Sequence, residues 1–279
     1  MEEARPLKSK DLFPAIFSRH AAAYQRRLDE IMARGEARGR ERAIALVEAR
    51  PGMRVLDLAC GPGTLTRRLA ALVAPDGAVV GVDLAEGMLQ LARAAGIANA
   101  SFEVMDMTHL TFADSSFDAA TCGHGLQFVS DLDQALGEAR RVIRDDGRFA
   151  ASMPVDLPGQ TAWAVMRPVV DRFLPPAPQA TDRQGTQKIV ADAALLQAAA
   201  ERAGFSGVRV EVVEEKVRWE SAEHFVSMVM SWWDCAARLD GVEVDVREAF
   251  EREALAELRR VHPGPFETTA RNHVLFGRA

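Results

Sequence analysis

An apolar run that ends in an aspartate and a glycine-rich turn constrains the fold of this chain more than any other stretch. The residues are Arg-Val-Leu-Asp-Leu-Ala-Cys-Gly-Pro-Gly, at positions 54–63. A helix is predicted directly afterwards, because the spacing is helical for Leu65, Leu69 and Leu72. Glycines in such a turn let the backbone approach a ligand closely, and the N-terminus of the next helix favours a negative group. The turn alone is a weak signal, since many strand–helix turns need glycine for steric reasons only.

Strand and helix patterns alternate from this point to residue 153. Further strands are predicted at 78–83, 101–105, 117–122 and 148–153, with helices at 86–95 and 131–143. Repeating units of this length indicate a parallel sheet with helices on both faces. Helices are also predicted within 12–49, where they can cover the open end of the sheet. Beyond a proline-rich stretch, the pattern predicts a helix at 191–203, a strand at 208–219, helices within 221–261 and a final strand at 268–276.

Composition and charge narrow the class of protein. The chain has no apolar run near the ~18 residues needed to cross a bilayer, and its N-terminus lacks the order of a signal peptide. Three well-separated cysteines suit a reducing cytoplasm and argue against a disulfide framework or a metal site. The net charge of −6 argues against nucleic-acid binding, which needs a basic excess. We therefore expect a cytoplasmic protein without membrane insertion or a nucleic-acid partner, and a homodimer stays open.

Three carboxylates are predicted at one edge of the sheet. Asp57, Asp83 and Asp106 each end a predicted strand, and ligands of open α/β sheets bind outside those carboxyl ends. A carboxylate after the second strand can accept two hydrogen bonds from a ribose diol, and one after the third can accept from the exocyclic amine of adenine. Any one of them alone is more often a turn or helix-capping aspartate. Together with the glycine turn, they predict an adenosine-containing ligand.

With these motifs the chain resembles the class I S-adenosylmethionine (SAM) dependent methyltransferases, of the small-molecule, UbiE-like type. Residues 55–63 match the first motif of that family, with Ala59 where a glycine is frequent, and residues 82–89 match the second. Residues 115–118 and 125–128 resemble the segment around the fourth strand. The resemblance implies an α/β fold with a Rossmann-like seven-stranded sheet, mostly parallel with an antiparallel last strand. It implies SAM as the cofactor and S-adenosylhomocysteine as the product.

The resemblance also implies a division of the chain. We expect an N-terminal helical cap at 1–50, a SAM-binding core at 51–154, a lid insertion at 155–190, a continuation of the core at 191–219, a helical substrate cap at 220–263 and a final core strand at 264–279. All four tryptophans follow the fifth strand, where they pack in a core or line an apolar pocket. Such lids suggest a small, partly apolar methyl acceptor, with secondary metabolism one source of it.

A set of cofactor-binding residues follows from the resemblance. They are Asp57, Ala59, Gly61, Gly63, Asp83, Leu84, Met88, Asp106, Met107 and Gly123. The two turn glycines and Gly123 are expected at the methionine part of SAM, with Asp57 holding its ammonium end directly or through water. Asp83 is expected on the ribose hydroxyls. The remaining apolar residues and Asp106 are expected around the adenine.

Methyl transfer from a sulfonium is an in-line displacement with a neutral leaving group, so alignment and exclusion of water supply much of the catalysis. A general base is needed only if the nucleophile starts protonated, and oxygen, nitrogen and carbon nucleophiles all fit. His124 follows the fourth strand and acts as that base or bounds the pocket. Tyr24, the only tyrosine, closes the site or packs in the core. His224, in the late helical region, is a further candidate for facing the substrate.

Two other classes of protein compete with this interpretation. A nicotinamide-linked oxidoreductase would need the spacing Gly-x-Gly-x-x-Gly, which fails after Gly63. The Tyr-x-x-x-Lys pair of short-chain enzymes cannot form, because Leu28 lies four residues after the only tyrosine. A SAM-binding protein that does not methylate, either a regulator or an enzyme of SAM-assisted rearrangement, stays open.

Overall fold

The computed structural model describes residues 7–155 and 161–279 of the chain. Its strands are β1 Arg54–Leu58, β2 Ala78–Asp83, β3 Ala100–Val104, β4 Phe117–Gly123, β5 Ile143–Val155, β6 Ser206–Trp219 and β7 Phe266–Arg278. Its helices are α1 Ser9–Arg19, α2 Ala21–Ala33, α3 Arg38–Leu46, α4 Thr64–Val73, α5 Glu86–Ala94, α6 Leu132–Val142, α7 Thr161–Phe173, α8 Gln184–Ala191, α9 Ala193–Arg202, α10 Ala222–Met230, α11 Trp233–Leu239 and α12 Val244–Val261.

All seven strands form one sheet, in the order β3-β2-β1-β4-β5-β7-β6. The first five strands are parallel to one another, whereas β7 lies antiparallel between β5 and β6. This confirms the predicted Rossmann-like methyltransferase sheet. Because β1 is central, the turn that follows it opens at the middle of the carboxyl edge, where ligands of such sheets bind.

Side chains of the central strand alternate between two apolar layers. Leu56 and Leu58 pack into the layer that includes α6 and α9, whereas Val55 packs into the layer that includes α3 and α4. Helices therefore cover both faces of the sheet, as predicted. The predicted apolar face of α4 is wrong at Leu72, which is 43% exposed, because the buried stripe of this helix continues through Leu69 and Val73.

A third apolar core lies among the later helices. It joins α7, α10 and α12 to the ends of β6 and β7. In α12, Phe250, Ala254 and Leu258 recur every four residues and are fully buried, as expected of one helical face. Trp219 and Phe225 pack in the same core with ring centroids 5.0 Å apart. Among the described residues, no helix combines the length and apolarity that crossing a membrane requires.

Two predicted elements differ clearly from the structure. The strand predicted at 148–153 begins earlier, at Ile143, and β5 contains an irregularity where Asp146 has a φ of +65° and the pairing with β4 shifts. The helix predicted at 191–203 begins two residues later as α9, because Asp192 adopts an extended conformation between α8 and α9 and caps α9. Its carboxylate accepts hydrogen bonds from the backbone N–H groups of Ala194 and Leu195 at 2.8 and 3.1 Å.

Candidate active site at the carboxyl edge of the sheet

A cleft of about 900 Å³ opens at the carboxyl ends of the central strands. The segments after β1, β2, β3 and β4 form one wall, and α1 and the start of α2 form the other. Ten of the twelve predicted site residues line it: Tyr24, Ala59, Gly61, Asp83, Leu84, Met88, Asp106, Met107, Gly123 and His124. Asp57 and Gly63 are not part of the lining. Sequence distances of up to 100 residues separate these groups, and the parallel sheet brings them together.

The carboxylate of Asp83 is held in place by two backbone N–H groups. Gly61 N donates to Oδ2 and Ala85 N donates to Oδ1, both at 2.8 Å. Burial raises the pKa of Asp83, and these hydrogen bonds oppose the rise. Each oxygen has a further lone pair, so the carboxylate can accept a pair of hydroxyl donors from the cleft.

Asp106 presents its carboxylate in a similar way after β3. Its Oδ1 accepts from the backbone N and the hydroxyl of Thr108, at 2.9 and 2.8 Å. Within the described part of the chain, Oδ2 has no hydrogen-bond donor, so it is free to accept from a ligand. Met88 and Met107 line the same cleft and supply a soft apolar surface suited to an aromatic base.

The glycines of the cleft serve two different purposes. Gly61 has a φ of +56°, and a Cβ there would meet no atom within 4 Å, so the open space beside it can take a ligand. A Cβ at Gly123 would lie 2.5 Å from Leu65 Cδ2, and one at Gly125 would lie 2.4 Å from Ala59 Cβ. Gly125 is therefore required for the close packing of the turns, whereas at Gly123 the end of the Leu65 side chain would have to move.

Asp57 lies beneath the cleft instead of in its wall. Strand alternation turns its side chain towards α4, where Thr66 Oγ1 donates to Oδ2 at 2.6 Å and Thr121 Oγ1 donates to Oδ1 at 3.1 Å. Burial raises the pKa of Asp57 to about 6, and the two hydroxyl donors oppose the rise. A direct contact with an ammonium group does not follow from this geometry. Gly63, with a φ of +79°, begins α4 at the same level.

His124 lies at the far end of the cofactor wall in a left-handed conformation, with a φ of +67°. Its backbone N donates to Ser152 O at 2.9 Å. The ring atom Nε2 is buried, and no partner for it lies within the described residues. Burial and the charge of Arg40 hold the pKa of His124 well below its usual range, although a contact with Asn272 opposes the shift. The imidazole is therefore neutral near pH 7 and is a weak base.

An aromatic cover is the part of the site that the sequence did not reveal. Phe13 and Phe17 from α1 and Phe128 from a 3-10 helix at Leu126–Phe128 line the cleft. The centroids of Phe13 and Phe128 are 4.8 Å apart, and the Phe17 ring meets Tyr24 edge to face at 5.7 Å. The helical spacing of the phenylalanines was visible, but nothing local showed which surface they cover. The four tryptophans lie outside the cleft lining, and His224 bonds to Glu30 Oε1 at 3.0 Å.

The fold and the cleft define a class I SAM-dependent methyltransferase. A family model described as a methyltransferase domain matches residues 49–213, and the chain belongs to that family. The demethylmenaquinone methyltransferase of Symbiobacterium thermophilum is 31% identical over 182 residues, which are 61% of this chain and 72% of the relative. The nocamycin O-methyltransferase of Saccharothrix syringae is 31% identical over 235 residues, which are 78% and 81% of the two chains.

Among solved structures, the [4+2]-cyclase SpnF shares the fold, with a TM-score of 0.57 and 16% identity over 98% of this chain and 97% of its own. The cofactor of the family is SAM, and the cleft fits it. The open space beside Gly61 can take the ligand, the carboxylate of Asp83 suits a diol, and Asp106 Oδ2 is free to accept from an amine.

Proposed function

We propose that this enzyme transfers a methyl group from SAM to an oxygen, nitrogen or carbon nucleophile of a small, partly apolar molecule. The observation that supports this most is the composition of the cleft. One wall carries carboxylates, glycines and thioethers that suit an adenosyl cation, and the opposite wall is aromatic. His124 lies where the two walls meet the buried interior.

The positions of the side chains support the proposed cofactor contacts. Asp83 accepts from the ribose hydroxyls, Leu84 and Met88 contact the adenine, and Asp106 accepts from its amine. Gly61 lets the backbone approach the methionine part. Asp57 acts indirectly. Its carboxylate accepts hydrogen bonds from the hydroxyls of Thr66 and Thr121 and so fixes the helix after the turn and the neighbouring strand relative to β1.

SAM supplies a methyl group on a sulfonium, whose sulfur becomes neutral as the methyl leaves. The chain then has two tasks, to align the acceptor and to exclude water. The phenylalanines of α1 and Phe128 exclude water from the cleft. His124 is uncharged, so it contacts the acceptor as a neutral imidazole, and general base catalysis by this residue is unfavourable.

The proposed domain layout assigns the acceptor side of the site to three segments. Within the proposed cap at 1–50, α1 and the start of α2 supply the aromatic wall, and α10 and α12 of the segment 220–263 form the core with α7 described above. The lid at 155–190 is proposed on the same side, although residues 156–160 lie outside the described part of the chain. An acceptor enclosed by helices in this way is a small molecule, as the names of the two relatives also suggest.

Release of S-adenosylhomocysteine is the decisive measurement. A panel of small phenols, quinols, carboxylic acids and amines with apolar frames should contain acceptors that release it. Calorimetry with SAM on the same preparation provides the control. SAM binding without product from any acceptor would favour a protein that binds SAM and does not methylate.

A further inference from the structure

Two arginines behind Tyr24 lack acidic partners. Arg40 on α3 is only 3% exposed, and Arg27 on α2 is half-buried. Within the described residues, neither guanidinium lies within 4 Å of a carboxylate, although most arginines of this chain are paired. The buried acid nearest in the fold, Glu215, accepts from the backbone N of Gly39 at 2.7 Å and makes no ion pair with Arg40.

The guanidinium of Arg27 lies over two aromatic rings. Its guanidinium carbon lies 5.3 Å from the ring centroid of Tyr24 and 5.2 Å from that of Trp232. Stacking on ring faces stabilises the charge but satisfies none of the five N–H donors, which lie in the guanidinium plane. Burial lowers the pKa of Arg27 to about 10, so the group remains charged at pH 7.

Further polar atoms without partners surround Arg40. Its NH2 group reaches the Tyr24 hydroxyl at 3.4 Å, but its Nε donor is unsatisfied. The buried side-chain amide of Asn272, which packs against Gly39, faces His124 and raises the pKa of that imidazole, so the two side chains are neighbours. Within the described residues, neither side chain makes a hydrogen bond of good geometry, and the charge of Arg40 lies close enough to lower the pKa of His124.

Such a cluster is unusual in a folded protein. More than nine in ten buried polar groups have a hydrogen-bond partner, and a buried charge is normally paired. The positive charges of Arg27 and Arg40 both contact Tyr24, which lines the cofactor cleft, so the partner that these two guanidinium groups lack is consistent with an anionic ligand. The chain as a whole has a net charge of −6, so this pair of arginines is a local positive site and not part of a generally basic surface.

We propose that the methyl acceptor carries an oxyanion, a carboxylate or an acidic enol or phenol, that Arg27 and Arg40 bind beside Tyr24 and His124. This inference rests on the proposed function and specifies its substrate class. It also accounts for a weakly basic His124, because an acceptor that arrives ionised needs no general base.

The arginine can be reached from outside. Arg27 lines a second cleft of about 1550 Å³, which α2 forms with α10, α11 and α12, whereas Tyr24 lines the cofactor cleft. Met228, Met230 and Leu255 line the second cleft as well and can contact the apolar part of the acceptor. Acidic residues line this cleft too, namely Glu30, Glu223, Asp240 and Glu251, so its overall charge does not attract an anion. Arg27 is the cation of this cleft that also contacts Tyr24 of the cofactor cleft.

The transfer balances without a proton. A lone pair of the oxyanion forms the new C–O bond while the S–CH3 bond breaks, and its electron pair stays on sulfur. The negative charge of the acceptor and the positive charge of the sulfonium disappear together. The arginines must therefore hold the anion without stabilising it so much that its nucleophilicity is lost, and a planar guanidinium stacked on rings suits weak, directional binding.

Anion binding tests the proposal directly. The full chain, saturated with S-adenosylhomocysteine, is titrated with benzoate and hexanoate and with the neutral benzamide and hexanamide, at constant ionic strength, while tryptophan fluorescence is followed. We expect a saturable change with at least one carboxylate and at least tenfold weaker binding of its amide. Arg27→Gln and Arg40→Gln should weaken the carboxylate at least tenfold. Arg38→Gln, an exposed arginine on the same helix as Arg40, should not.

Thermal stability provides a measurement that needs no acceptor. A buried charge without a partner destabilises the free protein, so Arg40→Gln should melt at the wild-type temperature or above it, whereas Arg27→Gln also loses its contacts with two aromatic rings and should melt slightly lower. Both variants should bind SAM with unchanged affinity by calorimetry. A large loss of stability in both would show that the charges serve the fold, and would overturn the proposal.

The outcomes separate the two proposals. Carboxylate and amide binding alike, no carboxylate binding at all, or full binding in both arginine variants would overturn the oxyanion site. If the carboxylate binds as expected but no acceptor releases S-adenosylhomocysteine, the proposal of methyl transfer is wrong and the proposal of an anion site is supported. If only neutral acceptors give product, at equal rates in wild type and both variants, the proposal of methyl transfer is supported and the proposal of an oxyanion site is wrong.

Discussion

The backbone N–H of Gly61 donates a hydrogen bond of 2.8 Å to Oδ2 of Asp83. This contact joins the turn after β1 to the end of β2, two motifs that lie 22 residues apart in sequence. The carboxylate is therefore oriented before any ligand arrives. Preorganisation of this kind reduces the entropy that binding must otherwise overcome.

Replacement of Asp83 should weaken the cofactor site. Asp83→Asn keeps the shape of the side chain but removes the charge, and it places an N–H2 group against the backbone donor of Gly61 or Ala85. We expect the affinity for SAM to fall by more than tenfold in calorimetry. Glu103→Gln, on exposed β3, is the matched control. Unchanged affinity in the Asp83 variant would contradict the ribose assignment.

The buried carboxylate of Asp57 should make stability depend on pH. Its folded pKa is about 6, above the usual value near 4, so the folded state holds a proton that the unfolded chain has already lost. Between about pH 4 and 6 the free energy of unfolding should thus fall as pH rises, by up to ~3 kcal/mol for a shift of about two units. Above about pH 6 this contribution is constant.

Comparison with Asp57→Asn isolates that effect. Chemical denaturation of wild type and variant at pH 4, 5, 6 and 7 should show wild type losing stability relative to the variant up to about pH 6. Asp76→Asn, which changes an exposed carboxylate, is the control. A difference between wild type and Asp57→Asn that stays constant over this range would show that the carboxylate is already ionised at pH 4.

His124 should affect turnover without titrating near neutral pH. His124→Asn suits the left-handed backbone, which asparagine tolerates, and removes the imidazole beside Arg40. We expect SAM affinity within twofold of wild type and kcat lowered several-fold on a true acceptor. Between pH 6 and 9 the two kcat profiles should have the same shape. A limb near pH 6.5 that the variant lacks would restore the role of general base.

The aromatic cover should control escape from the cleft. The ring of Phe128 lies 4.8 Å from Phe13 and 5.3 Å from Phe17, so Phe128→Ala loosens α1. We expect S-adenosylhomocysteine to dissociate several-fold faster, and amides of α1 to exchange faster while those of β1 do not. Because the ring is half-buried, the stability loss should be below the ~3 kcal/mol typical of truncating a buried phenylalanine. Phe128→Leu should show a smaller effect. Equal dissociation rates of S-adenosylhomocysteine from wild type, Phe128→Ala and Phe128→Leu would show that these rings do not control its escape.

The core of the fold followed from the sequence because its signals are local. Alternating strand and helix patterns from residue 54 onward, with a glycine turn after the first strand, specify a parallel sheet. In such a sheet the carboxyl ends of successive strands meet at one edge, so the sequence alone predicts that residues 83 and 106 lie at the same edge as the glycine turn. The sequence also lacks an apolar run long enough to cross a membrane.

Only the tertiary structure decided which way each side chain points and what it lacks. Asp57 lies one residue before the end of β1 and not at its end as predicted, and alternation in the strand turns it under α4, so it binds threonines instead of lining the cleft. The stacking of Arg27 on Tyr24 and Trp232 joins residues more than 200 positions apart, and no local pattern encodes it. A missing ion-pair partner is a property of the packed interior. It becomes visible only when every neighbour of the group is in place.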